Sequence, residues 1–228
     1  MSSDIDICNL ALSHLGDEAE VIAIDPPDGT IQASHCGRFY PFARGVLLEM
    51  FPWTFATKRI ALAELDTNPV EDDWGFAYTL PSTCIRPLSS LYPGQPERLL
   101  GTDSDLGSFP YVIEAGADGE PVMYTNVETA VLRYIDLITD TAKYTPGFTV
   151  ALSRLLASYL AGPILKGKVG AAMAQNQLKL FEIEFRKAAA ANANAGRRNA
   201  YEQRVPPHVA ARGGFSTALQ VDATVIYP

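Results

Sequence analysis

Basic residues are scarce over most of this chain. Residues 1–146 hold 8 Lys+Arg against 22 Asp+Glu, a balance of −14, and only residues 147–228, with 10 against 4, turn positive at +6, giving −8 in all. A protein built to grip nucleic acid needs a cationic footprint, so this balance argues against that class. Two oppositely charged parts are either two solvated faces or a field that orients subunits head to tail. Cysteine is also rare. Cys8, Cys36 and Cys84 are odd in number and have no CxxC spacing, which excludes a disulfide frame and fits reduced structural thiols. The longest apolar run, Leu155 to Leu165, is broken by Ser158, Gly162 and Pro163 and falls short of the roughly 20 residues of a membrane span. The acidic opening MSSDIDIC is unlike a signal peptide and predicts synthesis in the cytoplasm without export.

Catalytic signatures are missing as well. No GxSxG, Walker A, GxGxxG or HExxH occurs, no Ser/His/Asp set stands out, and no cofactor motif is visible, so an enzyme is not expected. With three histidines, the one metal-like grouping is Cys8 and His14 with His35 and Cys36. Its spacing matches no zinc pattern, and Cys and His on apolar helix faces are usually core residues, so no metal is expected there. Asp103, Asp105 and Gly107 resemble part of a calcium loop but lack its remaining ligands, and read as a turn. The paired acids Asp72–Asp73 and Glu182–Glu184 read as solvated.

What the chain does have is pattern: 47% hydrophobic and 19% charged residues, the composition of a soluble globular protein. The stretch Phe39–Lys58, FYPFARGVLLEMFPWTFATK, places Phe39, Phe42, Ala43, Val46, Leu47 and Met50 at helical spacing. Pro52 then ends the helix, and Trp53, Thr54 and Phe55 are expected to begin a strand. Burying Trp53 removes about 150 to 250 Å² from water, worth at most about 4 to 6 kcal/mol.

In chain order, a helix is predicted over Ser3–Leu15, opened by a capping box of Ser3 and Asp6 and stopped by Gly16. The Asp25–Gly29 cluster makes a turn. A second helix is predicted over Thr30–Met50, with a kink near Gly37–Pro41 because proline destabilises an unbroken helix by about 3 kcal/mol. Between Trp53 and Asp140 the pattern is that of a small antiparallel sheet, with strands at Thr83–Tyr92, Arg98–Gly101, Tyr111–Ala115, Pro121–Thr125 and Thr129–Ile135 and a hairpin turn at Gly116–Gly119. Two more helices are predicted at Phe148–Leu165 and Lys168 to about Ala195, the latter roughly 42 Å long. Residues 197–228 lose the helical period and end in the alternating TALQVDATVIYP, read as an arm that adds to another subunit or as a disordered terminus. The class is α+β, divided as 1–52 N-terminal helices, 53–146 β domain, 147–196 C-terminal helices and 197–228 arm.

The order of these segments resembles the head-to-tail adaptors of tailed phages, the tail tubular protein A family. The resemblance rests on Ile7–Gly16 (ICNLALSHLG), Cys36–Lys58 with PWTFA at Pro52–Ala56, Trp74–Arg86 (WGFAYTLPSTCIR), Arg133–Ile135 (RYI) and Phe148–Ala161 (FTVALSRLLASYLA). Thr83 and Gly45 stand where the family pattern carries an acid. The resemblance implies a virion structural protein of the neck, in which two N-terminal and two C-terminal helices form a four-helix bundle with an inserted β domain. It implies a ring of twelve copies below the portal protein, joined to a downstream tail or nozzle protein, with double-stranded DNA passing through without sequence-specific binding. No membrane is implied. The arm after residue 196 lies outside the match; Arg197, Arg198, Arg204, Arg212, Phe215, Leu219, Val221, Val225 and Tyr227 are its expected contacts to the portal or a neighbouring subunit. Other readings are a monomeric virion assembly factor and a small metal-dependent hydrolase on the Cys/His group.

Overall fold

The computed structural model describes residues 3–70, 72–93, 109–116 and 118–195. All of them lie within one compact unit, Met1–Ala195. Helix α1 spans Asp4–Ser13 and is opened by the expected reciprocal cap: Asp6 N–H donates to Ser3 Oγ (3.1 Å) and Ser3 N–H to Asp6 Oδ2 (2.8 Å). It ends before Gly16, which takes the left-handed conformation (φ +76°) that stops a helix with little strain. Helix α2 spans Ile31–Met50, with Thr30 as cap. It is helical through Pro41, and two flanking turns of buried residues, Cys36, Tyr40, Ala43 and Leu47, hold the helix across the missing donor. Helices α3 (Pro146–Leu165) and α4 (Gly167–Ala195) close the unit, as their periodicity predicts.

The four helices do not form the expected bundle of an N-terminal pair and a C-terminal pair. They are organised around α3, on which α1, α2 and α4 each pack. The reason lies in the sequence of α3: from Ala151 to Ala161 only Arg154 and Tyr159 escape full burial. A helix apolar on all sides has to be covered on all sides. Helix α4 is the opposite case. It buries a narrow stripe, Gly170, Gln177, Phe181, Ala188 and Asn192, and therefore lies along one neighbour instead of sharing a common bundle core. Helix α3 has 20 residues and a window of 18 with a mean hydropathy of 1.4, which suffices by length and composition to cross a membrane, unlike the shorter run read from the sequence. In this fold protein covers it.

The β region is also not one small sheet. Among the described residues seven strands make two antiparallel sheets. The first has the order β1 (Thr57–Ala61), β7 (Val131–Asp136), β4 (Cys84–Leu91). The second has the order β2 (Ala63–Glu64), β3 (Phe76–Thr79), β6 (Pro121–Thr125), β5 (Tyr111–Ala115). Strands β5 and β6 and the turn between them match the expected hairpin, with Gly119 at φ +81°. Strands β1, β2 and β3 were not foreseen, and the expected strand at Arg98–Gly101 lies outside the described residues. Residue Leu62 alone separates β1 from β2, so one extended segment edges both sheets; its N–H donates to Ala130 O (3.0 Å).

Alternation along β7 divides the core. Leu132 and Tyr134 face the second sheet with Tyr78, Leu80, Met123, Val127 and Ala130. Ile135 faces the helices with Trp53, Leu156 and Phe148. The sheet is fastened to the helical layer through β7 and through β4, whose Ile85 and Leu88 pack against the same core.

Candidate functional site

The residues that carry chemistry or contact fall into three places in the described chain: the junction after α2, a polar group between α1, α3 and α4, and the buried cysteine pair.

At the junction, Phe51 is extended and Trp53–Ala56 form a turn instead of the expected strand start. Two backbone bonds explain it: Ala56 N–H and Thr57 N–H both donate to Trp53 O (3.1 and 2.9 Å), and the Thr57 hydroxyl adds a third (2.8 Å). The chain turns here to drive Trp53 inward, and the strand begins only at Thr57. Trp53 is fully buried and its Nε1–H donates to Leu47 O at 2.8 Å. Leu47 is within the last turn of α2, where carbonyls lack helical partners, so the indole caps that helix. The ring meets Phe51 and Phe148 edge-on at 5.1 Å and Phe185 at 6.2 Å, linking α2, α3 and α4 at one point. Just beyond, Lys58 Nζ lies 2.5 Å from Asp136 Oδ2, tying β1 to the end of β7. Burial works against the Asp136 carboxylate, but hydrogen bonds from Lys58 and Thr83 outweigh it and hold the carboxyl below its ordinary range.

The second place is a polar group that the sequence did not single out. Gln177, nearly fully buried on α4, donates from Nε2 to His14 O (2.8 Å) and accepts at Oε1 from Arg154 Nη1 (2.9 Å). His14 Nε2 lies 3.2 Å from Ser153 Oγ. The same hydroxyl lies 2.8 Å from Val150 O, a backbone acceptor one turn earlier in α3. Farther along α4, Asn192 Oδ1 accepts from Thr54 N–H (3.2 Å) and Thr54 Oγ1 (2.9 Å). Two buried amides, one in the first half of α4 and one near its C-terminal end, thus anchor it to the N-terminal part of the chain. Amides on a helix surface and amides in a core look alike in sequence; no spacing signal distinguishes them.

His14 has a measurable consequence. Burial first, and the Arg154 guanidinium second, lower it from 6.5 to about 4. Between those values the unfolded chain binds the proton and the folded chain does not, so stability is full above pH 6.5 and falls as the pH drops toward 4. The ring is only half-buried, and solvent screening reduces the effect to about 1 to 2 kcal/mol. Urea denaturation followed by circular dichroism from pH 7 to pH 4 is expected to show this slope, and His14→Gln to flatten it.

The Cys/His grouping does not assemble. Cys8 and Cys36 are both fully buried and adjacent, and the Cys8 thiol is pushed up first by its hydrogen bond to Cys36 and then by burial. His14 points to Ser153, and His35 stacks on Phe39 with ring centroids 6.3 Å apart. Among the described residues no three His, Cys, Asp or Glu side chains are placed to share a metal ion. Of the paired acids, Glu184 binds Lys187 Nζ at 2.9 Å, and Asp72 and Asp73 are exposed. The calcium-like Asp103, Asp105 and Gly107 lie outside the described residues, as do all the arm contacts: Arg197, Arg198, Arg204, Arg212, Phe215, Leu219, Val221, Val225 and Tyr227.

In comparisons with known proteins, no family model matches the chain and no curated protein matches it significantly. The arrangement itself is one of fastening: an aromatic node, two buried amides and a thiol pair, each joining segments distant in sequence.

Proposed function

We propose that this chain is a virion structural protein, a head-to-tail adaptor that forms a ring below a phage portal, joins it to the tail and continues the DNA channel. One observation carries the reading. The short segments through which the chain resembles that family are far apart in sequence, and four of the five place buried side chains in a single core: Ile7, Cys8 and Leu12; Cys36, Leu47 and Trp53; Ile135; and Phe148, Leu152 and Leu156. Shared core residues fix a scaffold, and none of the five segments carries a catalytic signature. The fifth segment, Trp74–Arg86, supplies Tyr78 and Leu80 to the second core and Ile85 to the first. The acidic balance of residues 1–146 suits a channel through which DNA slides, since a strongly basic lumen would hold it by counterion release.

Negative-stain electron microscopy of the protein with and without its cognate portal, beside mass by light scattering, tests this. Portal particles lengthened by an added collar are expected in the mixture. Portal particles unchanged, with this chain monodisperse beside them, would overturn the adaptor reading in favour of an assembly factor.

A further inference from the structure

We infer that the outer face of α2 is a self-complementary docking surface on which a second copy of this chain packs antiparallel, about a two-fold axis level with residues 43 and 44. Opposite the buried Ala43, Leu47 and Leu48, the helix presents Arg38, Phe42, Gly45 and Glu49 within an arc of about 60°. Phe42 is 67% exposed in the middle of a well-formed helix, flanked by Val46 at 39% and Met50 at 44%. Gly45, one turn from Phe42, has no role inside the single chain: a Cβ built there meets nothing within 4 Å. Glycine in a helix interior is destabilising, and the usual compensation is that something approaches the backbone closely.

The spacing of these residues says what approaches. In an antiparallel pair centred between residues 43 and 44, each position n faces position 87 − n of the other copy. Phe42 then lies over Gly45 of the second copy, ring into notch, and the reverse contact repeats it. Arg38 faces Glu49 of the second copy, again twice. Apolar, small and charged positions are thus matched together by one symmetry operation, as a two-fold interface requires. Among the described residues neither Arg38 nor Glu49 forms an ion pair within the chain. The overlap, residues 37–50, is a seam of about 21 Å. So short a seam gives a weak dimer, with Kd on the order of 100 µM. Neighbours in a closed ring contact one another head to tail, so the two-fold pair belongs to the chain outside such a ring and does not depend on the adaptor reading.

Sedimentation equilibrium of the full chain, without portal, tests the inference. The protein is expected to dimerise; Arg38→Glu and Glu49→Arg are each expected to raise Kd about tenfold or more, because each turns two attractions into two repulsions. The double variant Arg38→Glu with Glu49→Arg is expected to restore the dimer to within about threefold of the parent. Gly45→Leu fills the notch and is expected to abolish the dimer while the thermal midpoint of the monomer is unchanged or raised. A parent that stays monomeric up to about 1 mM overturns the inference. A dimer indifferent to the single reversals, or weakened by them and not restored by the double reversal, overturns it equally.

Discussion

Trp53→Ala is expected to destabilise the protein by about 4 to 5 kcal/mol, the upper part of the range for emptying a buried aromatic site. Three losses combine. The indole is fully buried, so its removal leaves a cavity bordered by Phe148 and Phe185, side chains on two different helices that cannot both collapse into it. Leu47 O loses the Nε1–H donor at the end of α2. The turn that delivers the side chain also positions Thr57, where β1 begins, so strain at the junction spreads to the sheet. Domains are stable by only about 5 to 15 kcal/mol, so the variant should fold marginally, with a thermal midpoint lowered by about 10 to 20 °C. Trp53→Phe keeps most of the packing and loses the hydrogen bond, for which about 1 to 3 kcal/mol is expected. Thermal and urea unfolding of the pair separate the two contributions; equal small effects of both variants would show that the junction is not the node.

Gly170→Val is expected to cost about 2 to 3 kcal/mol although it removes a glycine from a helix. A Cβ at Gly170 lies 2.8 Å from Ala161 O and 3.4 Å from Gly162 Cα and O, all backbone atoms of α3 that cannot rotate away. The helical propensity gained, about 0.5 kcal/mol, is smaller than the overpacking. Gly147 repeats the contact at the far end of the hairpin, where an added Cβ lies 3.1 Å from Ala188 Cβ. Two small residues therefore set the approach of α4 to α3. Gly162 provides the internal control: its added Cβ meets nothing within 4 Å, so Gly162→Ala should stabilise by about 0.5 to 1 kcal/mol. Thermal midpoints moving in opposite directions for the two glycines would establish the close approach. A midpoint raised by both substitutions would refute it.

Particular residues show how far the sequence could be read. The Ser3–Asp6 cap and the Thr30 start of α2 were legible because each depends on a few neighbouring residues and a backbone preference. The β5–β6 hairpin was legible for the same reason, its turn and both strands lying within fifteen positions. Strand β1 was not: Thr57–Ala61, TKRIA, is mostly exposed, lacks the alternation of a half-buried strand, and is held by its register against β7, more than seventy residues away. At Pro41 the buried face of α2 keeps the chain helical across the missing donor. Gln177 and Asn192 carried no signal at all, since an amide's role depends on what lies opposite it once α4 is laid down.

By itself the sequence determined four helices, their order around a β region, a core rich in aliphatic and aromatic side chains and a charge divided between the two parts of the chain. These follow from local terms: periodicity, caps, turn residues and composition. Only the tertiary structure decided that α3 is the axis of the helical layer, that the β region is two sheets joined to the helices through β7 and β4, that Cys8 and Cys36 meet while His14 and His35 turn away, and that Phe42 and Gly45 share an uncovered face. Each of those depends on which surfaces are left once the others have paired. Burial is a property of the whole packed chain, and no local pattern encodes it.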